Sequence, residues 1–268
     1  MFADIAPRYD LLNHLLSLNL DRGWRRAAVA ALAPNAGEPF LDACAGTLDL
    51  SLAVAATGAR VTALDFCREM LVLGRAKARG RELRQPIPLI EGDAMRLPFA
   101  SGSFAGASVA FGIRNLDDPR RGLVELARVL APGGRLAVLE FIRPKRALVR
   151  WLYYPYFRSV LPRVGRLVSG HAQAYSYLPS SVLTFLQPDE LCHTLTGPAA
   201  GLVDVAWKPL SLGTVALITG KKPHGPDPAP AHHRSTTSMK SITRSSAGLP
   251  RRAEGCSSAR RTWNERKR

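Results

Sequence analysis

Residues 41–55 read LDACAGTLDLSLAVA, in which an apolar run, a small-residue turn and a helical segment follow one another. The stretch begins as a short apolar run ending in Asp42, passes through a turn of small residues from Ala43 to Thr47, and becomes helical near Asp49. A small-residue turn lets the backbone approach a ligand closely, and a helix N-terminus offers free N–H groups. The stretch therefore predicts a strand, a ligand-binding loop and a helix.

Working outward, apolar runs bounded by turn residues alternate with helical segments. The predicted strands are PFLDA (39–43), RVTALDF (60–66), IPLIEGD (87–93), FAGASVAF (104–111) and GRLAVLEF (134–141). The predicted helices are RGWRRAAVAAL (22–32), LSLAVAATG (50–58), CREMLVLGRAKARG (67–80) and PRRGLVELARVLAPGG (119–134). This alternation predicts an α/β fold with a largely parallel sheet, helices on both faces, and ligands at the carboxyl ends of the strands.

Composition and charge divide the chain in two. Hydrophobic residues make up 46% of the 268 residues, which excludes wholesale disorder, and no apolar run is long enough to span a bilayer. Of the net charge of +16, a net +9 lies in residues 221–268, which lack apolar periodicity. We predict one domain over 1–222 and a disordered basic tail over 223–268, either a solvated appendage or a contact for nucleic acid or acidic lipid.

The cysteines and the N-terminus bear on location. Four cysteines lie far apart without CxxC spacing, which predicts neither a metal site nor a disulfide scaffold. The first ten residues, MFADIAPRYD, have neither the basic start nor the apolar run of a signal peptide. Together these features predict a cytoplasmic protein.

Acids stand at the ends of three successive predicted strands: Asp42, Asp65 and Asp93. An acid ending the second strand is placed to accept hydrogen bonds from ribose hydroxyls, as in dinucleotide folds. Three acids at one sheet edge suit a nucleoside with an attached amino group and suit a pyrophosphate poorly. Turn capping is the alternative for any one of them.

Four further blocks occur in order: YDLLNHLLSLNLDRGW (9–24), FGIRN (111–115), RVLAPGGRLAVLEF (128–141) and AYSYLPSS (174–181). With them the chain, from Met1 to about Lys222, resembles the class I S-adenosylmethionine-dependent methyltransferases, and specifically the ubiquinone/menaquinone biosynthesis C-methyltransferases. The resemblance implies a Rossmann-like seven-stranded sheet and S-adenosylmethionine as cofactor. It also implies C-methylation of a polyprenyl quinol ring, either demethylmenaquinol or the equivalent ubiquinone precursor.

The resemblance also assigns cofactor contacts by position. Asp65 would take the ribose hydroxyls, and Asp93 the adenine amino group with the Ala94 backbone beside it. The contacts implied by the resemblance are Thr47, Asp65, Asp93 and Ala94, together with the backbone of Ala110. Asp42 at the end of the first strand and Gly46 in the small-residue turn are added as candidate cofactor contacts from the pattern itself.

One departure from the family pattern concerns the cofactor loop. The family usually reads Gly-Thr-Gly-Asp where this chain has Leu48 between Thr47 and Asp49. At a positive φ, Leu48 would be strained by about 1–2 kcal/mol. The departure motivates two alternatives: a cofactor-impaired relative acting as a non-catalytic component of quinone synthesis, or a methyltransferase for another small molecule.

The candidate catalytic residues lie in two places. Arg114 and Asn115 follow the fourth strand, where a guanidinium can stabilise a phenolate or orient a water that accepts the phenol proton. The alternative is a structural ion pair of Arg114 with Asp117 or Asp118. His171 and Tyr175, with Tyr177, form a second cluster on the segment expected to cover the substrate, and a surface position is the alternative for His171.

The chain contains a basic aromatic segment over residues 141–188. Residues 141–188 contain seven Lys or Arg and no Asp or Glu, interleaved with aromatic residues such as Trp151. This pattern suits anionic lipid headgroups at the inner face of the cell membrane, and an apolar wall for an isoprenoid tail. An ordinary helical cover is the alternative. No RNA-binding motif accompanies the segment, so we expect no nucleic-acid partner, and a homo-oligomer is left open.

Overall fold

The computed structural model describes residues 17, 19–144, 147, 149, 151, 181, 182 and 184–224. All of them lie in the unit Met1–Asp227. Three predictions fall outside the described residues: the catalytic candidates His171 and Tyr175, most of the basic aromatic segment, and the tail from residue 225 onward.

Strands and helices alternate along most of the described chain. The strands are β1 (Pro39–Ala43), β2 (Arg60–Asp65), β3 (Leu89–Glu91), β4 (Phe104–Ala110), β5 (Leu130–Phe141), β6 (Val203–Leu210) and β7 (Val215–Lys221). The helices are α1 (Leu20–Leu32), α2 (Asp49–Ala55), α3 (Arg68–Arg79), α4 (Pro119–Val129) and α5 (Pro188–Thr196). Short 3₁₀ turns follow β4 at Ile113–Asn115 and β6 at Ser211–Gly213.

The strands form one seven-stranded sheet in the order β3-β2-β1-β4-β5-β7-β6. The first five strands pair in parallel, and β7 runs antiparallel between β5 and β6. Strand order reverses between β1 and β4, so the carboxyl ends of these strands flank the crevice where such sheets bind ligands. The predicted Rossmann-like seven-stranded sheet is confirmed.

Alternate residues of the sheet pack against helices on opposite faces. Leu41 of β1 belongs to a core that includes Leu123 of α4 and Leu191 of α5. Phe40, one residue earlier, belongs to a second core with Leu32 of α1 and Val54 of α2. Because side chains alternate along a strand, the direction of each site residue follows from its position in this pattern.

The predicted helix over 119–134 is wrong in its last turn. The helix ends at Val129, and residues 130–134 belong to β5, with Leu130 paired to Phe104 of β4. Pro132 and two glycines are poor helix formers, whereas an irregular strand accepts them. At Gly134 any Cβ would lie 2.7 Å from the carbonyl oxygen of Ala131, so only glycine fits that turn of the strand.

Across the described residues, no helix combines the length and the apolar character that crossing a membrane requires.

Candidate active site

The loop after β1 carries an unusual run of left-handed backbone. Cys44, Gly46 and Leu48 have φ values of 51°, 53° and 70°. The loop is tied to β2, because the Ala45 N–H donates to the Leu64 carbonyl at 3.0 Å. Among the residues that the structure describes, a Cβ built at Gly46 would meet no heavy atom within 4 Å. The backbone at Gly46 therefore borders open space, as the predicted ligand-binding loop requires.

Asp65 joins this loop to the end of β2. Its Oδ2 accepts the N–H of Gly46 and its Oδ1 accepts the N–H of Cys67, each at 2.8 Å. Burial raises the pKa of Asp65, and these backbone N–H groups oppose the rise. A carboxylate oxygen has two lone pairs, so both oxygens keep the capacity to accept a ribose hydroxyl.

The end of β3 presents a more open acid. Asp93 is exposed, and its Oδ1 accepts the N–H of Met95 at 2.8 Å. Ala94 beside it is buried. Phe66, which follows Asp65, is 55% exposed, and the sequence analysis missed it because the predicted strand extended one residue too far. An apolar residue directly after a strand-end acid is the signal that could have identified it.

Asp42 differs from the other two strand-end acids, since its carboxylate points into the protein. Alternation along β1 places Asp42 on the same face as Phe40, under α2. Its oxygens accept hydrogen bonds from the hydroxyls of Ser51 at 2.5 Å and Ser108 at 2.8 Å. Asp42 is 2% exposed, so it supports the loop from behind, and its predicted contact with a cofactor stays a prediction.

The buried position of Asp42 leads to a pH-dependence prediction. Burial raises its pKa from 3.8 to about 6, so the folded chain holds this proton more tightly than the unfolded chain. The resulting stability is complete below the unfolded pKa and is lost as pH rises through the folded pKa, a change of at most about 3 kcal/mol. Asp42→Asn should flatten the pH dependence of the unfolding free energy in this window. Urea denaturation at several pH values measures the slope, and a slope equal to that of the wild type would contradict the assignment.

Leu48 has the positive φ that the sequence analysis considered, but its side chain lies behind the loop. The side chain is fully buried and clusters with Ala63 of β2 and Leu71 of α3. A left-handed leucine is strained by about 1–2 kcal/mol, and this apolar packing offsets the strain. The side chain therefore does not occupy the open space beside Gly46.

A chain of charged side chains braces the N-terminus of α2. Lys77 of α3 donates to the hydroxyl of Thr47 at 3.2 Å and to Asp49 at 2.6 Å. Arg25 of α1 pairs with the same Asp49 at 3.1 Å and also with Asp21. The sequence analysis missed Lys77 and Arg25, because nothing in their local sequence shows which loop they reach.

Arg114 and Asn115 lie in the 3₁₀ turn after β4. The Phe111 carbonyl accepts hydrogen bonds from Arg114 Nη1 at 2.7 Å and from Asn115 Nδ2 at 3.4 Å. Phe111 has a φ of 59°, so both side chains stabilise a strained residue. Ala110, the last residue of β4, is half-buried and offers only backbone at this edge.

Arg114 forms a structural ion pair, as the alternative to a catalytic role predicted, but its partner is Glu140 of β5 and not Asp117 or Asp118. Arg114 Nη1 lies 2.5 Å from Glu140 Oε1, and the backbone N–H groups of Arg114 and Phe141 also donate to this carboxylate. The Arg114 and Glu140 side chains are 8% and 0% exposed. An acid in an otherwise apolar strand was the available signal for Glu140.

Arg114 keeps one buried donor unused within the described part of the chain. Its Nε has no hydrogen-bond partner there. The guanidinium carbon lies 5.4 Å from the centroid of the Phe141 ring, a cation–π distance. Phe141, Phe111 and Trp24 pack with ring centroids 4.7–6.0 Å apart. The result is a rigid guanidinium with a buried N–H and an aromatic surface beside it.

A cavity of about 420 Å³ opens beside Arg114. Its described lining combines charged, hydroxyl and apolar side chains, namely Arg114, Asp117, Asp118, Pro119, Arg120, Ser181, Thr184, Phe185 and Leu186. Three of these nine lining residues are apolar, so the described wall of the cavity is mixed in character.

The sheet order, the small-residue loop after β1 and the acids ending β2 and β3 define the class I methyltransferase fold. Two solved structures match it with a TM-score of 0.58. The [4+2]-cyclase SpnF is 20% identical, with 75% of this chain and 81% of that chain covered. The Haloferax volcanii complex of the Trm112 methyltransferase activator with a putative methyltransferase is 19% identical, with 84% and 98% covered.

The ubiE/COQ5 methyltransferase family matches residues 1–222, and the chain belongs to this family. It is therefore a methyltransferase. A demethylmenaquinone methyltransferase of Deinococcus radiodurans is 45% identical over 224 residues, 83% of this chain and 91% of that protein. One from Thermus thermophilus is 45% identical over 225 residues, 83% and 100%. A ubiquinone/menaquinone biosynthesis C-methyltransferase of Geotalea daltonii is 41% identical over 227 residues, 83% and 94%.

Proposed function

We propose that this protein transfers a methyl group from S-adenosylmethionine to a ring carbon of a polyprenylated quinol, converting demethylmenaquinol to menaquinol. The observation that carries the proposal is the 45% identity, over nearly their whole length, to proteins named demethylmenaquinone methyltransferase. The name of the Geotalea relative also includes ubiquinone, so the benzoquinol precursor of ubiquinone is a second acceptor that should be tested.

The residues at the sheet edge fit S-adenosylmethionine. Open space at Gly46 leaves room for close approach to the backbone, and the exposed ring of Phe66 offers a flat apolar surface for a base. Asp65 would accept the ribose hydroxyls, and the exposed carboxylate of Asp93 would accept the adenine amino group. When bound, the cofactor supplies a methyl group on a positively charged sulfur. Thr47 and Ala110 border the same edge through the loop after β1 and the end of β4.

We assign Arg114 the role of stabilising the quinol that accepts the methyl group. A ring carbon becomes nucleophilic when the neighbouring phenol loses its proton, and an unperturbed phenol has a pKa of about 10. A guanidinium held by Glu140 beside the cavity would stabilise the phenolate oxygen by its charge, and a small shift of the side chain would let its Nε–H, which has no partner among the described residues, donate to that oxygen. Asn115 holds the same turn, while Phe185 and Leu186 give the cavity an apolar wall.

The cofactor-impaired alternative was based on Leu48 in the cofactor loop. Because the Leu48 side chain packs behind the loop, it gives no reason to expect impaired cofactor binding. The other alternative, methylation of a different small molecule, is distinguished by identifying the compound that receives the methyl group. The test is incubation of the purified protein with methyl-labelled S-adenosylmethionine and a membrane quinone extract, followed by identification of the labelled lipid. Label in menaquinol supports the proposal, and label only in a ubiquinone precursor changes the acceptor. Label in a non-quinone product, or none despite cofactor binding, overturns it.

We also propose that the enzyme works at the cytoplasmic face of the membrane, where its lipid acceptor resides. Trp151 lies in the acid-free basic segment and is 72% exposed. Trp side chains favour the membrane interface, and basic residues near it add attraction to anionic headgroups.

The membrane proposal predicts that Trp151→Ala lowers binding to anionic vesicles several-fold in a sedimentation assay. Leu212→Ala is the matched control, because Leu212 is also 72% exposed but lies in the 3₁₀ turn after β6. Equal binding by wild type and Trp151→Ala, or equal losses in both variants, would contradict the assignment.

A further inference from the structure

Gly74 lies in the middle of α3, on the side that packs against the loop after β1. A Cβ built there would lie 2.4 Å from Leu48 Cγ and 3.2 Å from the carbonyl carbon of Thr47. The first distance is far inside van der Waals contact, and Leu48 is fully buried, so its side chain has no space to move into. The missing side chain at position 74 is therefore what makes room for Leu48 behind the loop.

Lys77 lies three residues further along α3, on the same side of the helix. Its ammonium group donates to the Thr47 hydroxyl and to the Asp49 carboxylate at the start of α2. The helix thus contacts the loop at two adjacent places. At the first, the Leu48 side chain packs into the apolar space beside Gly74. At the second, the Lys77 ammonium group bonds to Thr47 and Asp49.

These contacts give α3 control over the loop conformation. Leu48 has a φ of 70°, which glycine adopts without strain and leucine adopts only when its surroundings hold it there. Any side chain at position 74 would make close steric contacts with both the Leu48 side chain and the Thr47 backbone. Displacement of Thr47 moves Gly46, whose N–H is bonded to Asp65 and whose open side faces the crevice.

We propose that Gly74 and Lys77 are positioning residues for cofactor binding: Gly74 accommodates Leu48, and Lys77 anchors Thr47 and Asp49, so that Gly46 and Asp65 keep their arrangement. The inference rests on the proposed binding of S-adenosylmethionine. Leu48 and Gly74 pack as a complementary pair, since the space left by the missing side chain on the helix is filled by the Leu48 side chain.

The test measures binding of S-adenosylhomocysteine by isothermal titration calorimetry, together with the melting temperature of each ligand-free variant. Gly74→Ala should weaken binding by about tenfold or more, because overpacking a rigid site displaces its neighbours. The double variant Leu48→Gly/Gly74→Ala should recover much of the lost affinity, since the 2.4 Å clash with Leu48 is then removed and only the milder 3.2 Å approach to the Thr47 carbonyl carbon remains. Gly23→Ala is the control, because a Cβ at this helical glycine meets nothing within 4 Å.

The anchor is tested in parallel. Lys77→Met should also weaken binding by about tenfold, whereas Arg75→Met, on the exposed side of the same helix, should bind like the wild type. A wild type that binds no ligand overturns the proposed function and the inference with it. If the wild type binds and Gly74→Ala binds equally, only the inference fails. If Gly74→Ala does not fold, the double variant decides: binding supports the pairing, and loss of binding overturns it.

Discussion

Arg114→Met is expected to reduce kcat for quinol methylation by about 10²–10³, the usual cost of removing one preorganised donor from a developing oxyanion. The same change leaves Glu140 buried without its cation. Loss of one partner of a buried ion pair costs about 3–5 kcal/mol of stability, so activity and folding fall together in this variant.

The double variant Arg114→Met/Glu140→Leu separates the two effects. Replacing the whole pair by apolar residues of similar size should restore part of the unfolding free energy, because no uncompensated charge remains, although the backbone N–H groups of Arg114 and Phe141 lose their acceptor. Activity should stay low, since the guanidinium is still missing. Arg120→Met serves as control: Arg120 also lines the cavity but is 53% exposed, and its contact with Glu190 is long at 3.8 Å. A stable double variant with wild-type kcat would show that Arg114 is purely structural.

Asp65→Asn is expected to weaken S-adenosylmethionine binding by about 100-fold. A charge-assisted hydrogen bond contributes about 1.5–3 kcal/mol, and the amide both loses the charge and turns an NH₂ group toward the N–H of Gly46 or Cys67. Calorimetric titration with S-adenosylmethionine measures the loss. Asp204→Asn is the control, because Asp204 lies exposed on β6 with a φ of 52°, a conformation that asparagine accepts.

The same acid predicts how binding depends on pH. Burial raises the pKa of Asp65, so its ionised form declines on acidification earlier than that of an ordinary aspartate. Wild-type affinity should therefore fall as pH is lowered toward this raised pKa, and the Asp65→Asn variant should lack that part of the dependence. A variant that binds as tightly as the wild type at neutral pH would remove Asp65 from the site.

The alternation of strands and helices from β1 to β5, and the place of the loop after β1, could be predicted because they follow from local pattern, whereas the seven-stranded sheet was implied by the family resemblance. Apolar runs of period two, turn residues and the small-residue stretch after Leu41 each act over a few neighbouring residues. The direction of Asp42 was also available in principle, since a strict alternation from Phe40 places it under α2. Its strand-end position alone indicated a ligand contact and gave no information on the direction of its carboxylate.

Contacts between distant segments could not be predicted in this way. Glu140 and Arg114 are 26 residues apart in sequence, and Lys77 and Thr47 are 30 apart. Their pairing depends on how β4 aligns with β5, and on how α3 packs against the loop, which no local pattern determines. The packing of Leu48 against Gly74 could not be predicted either, because only the folded structure shows that α3 leaves space there for the Leu48 side chain. His171 and Tyr175 lie outside the described residues and stay predictions.

The place of β7 has a consequence for how the chain acquires its fold during synthesis. The last strand of the sheet along the chain lies between β5 and β6 and bonds to both. Until the ribosome has added residues 215–221, the side of β5 that will pair with β7 carries unsatisfied backbone groups beside an apolar run, Ala137 to Leu139. Such an edge is a template for unwanted strand pairing. A nascent chain stalled before β7 should therefore be prone to aggregate, although its cofactor loop has already been made.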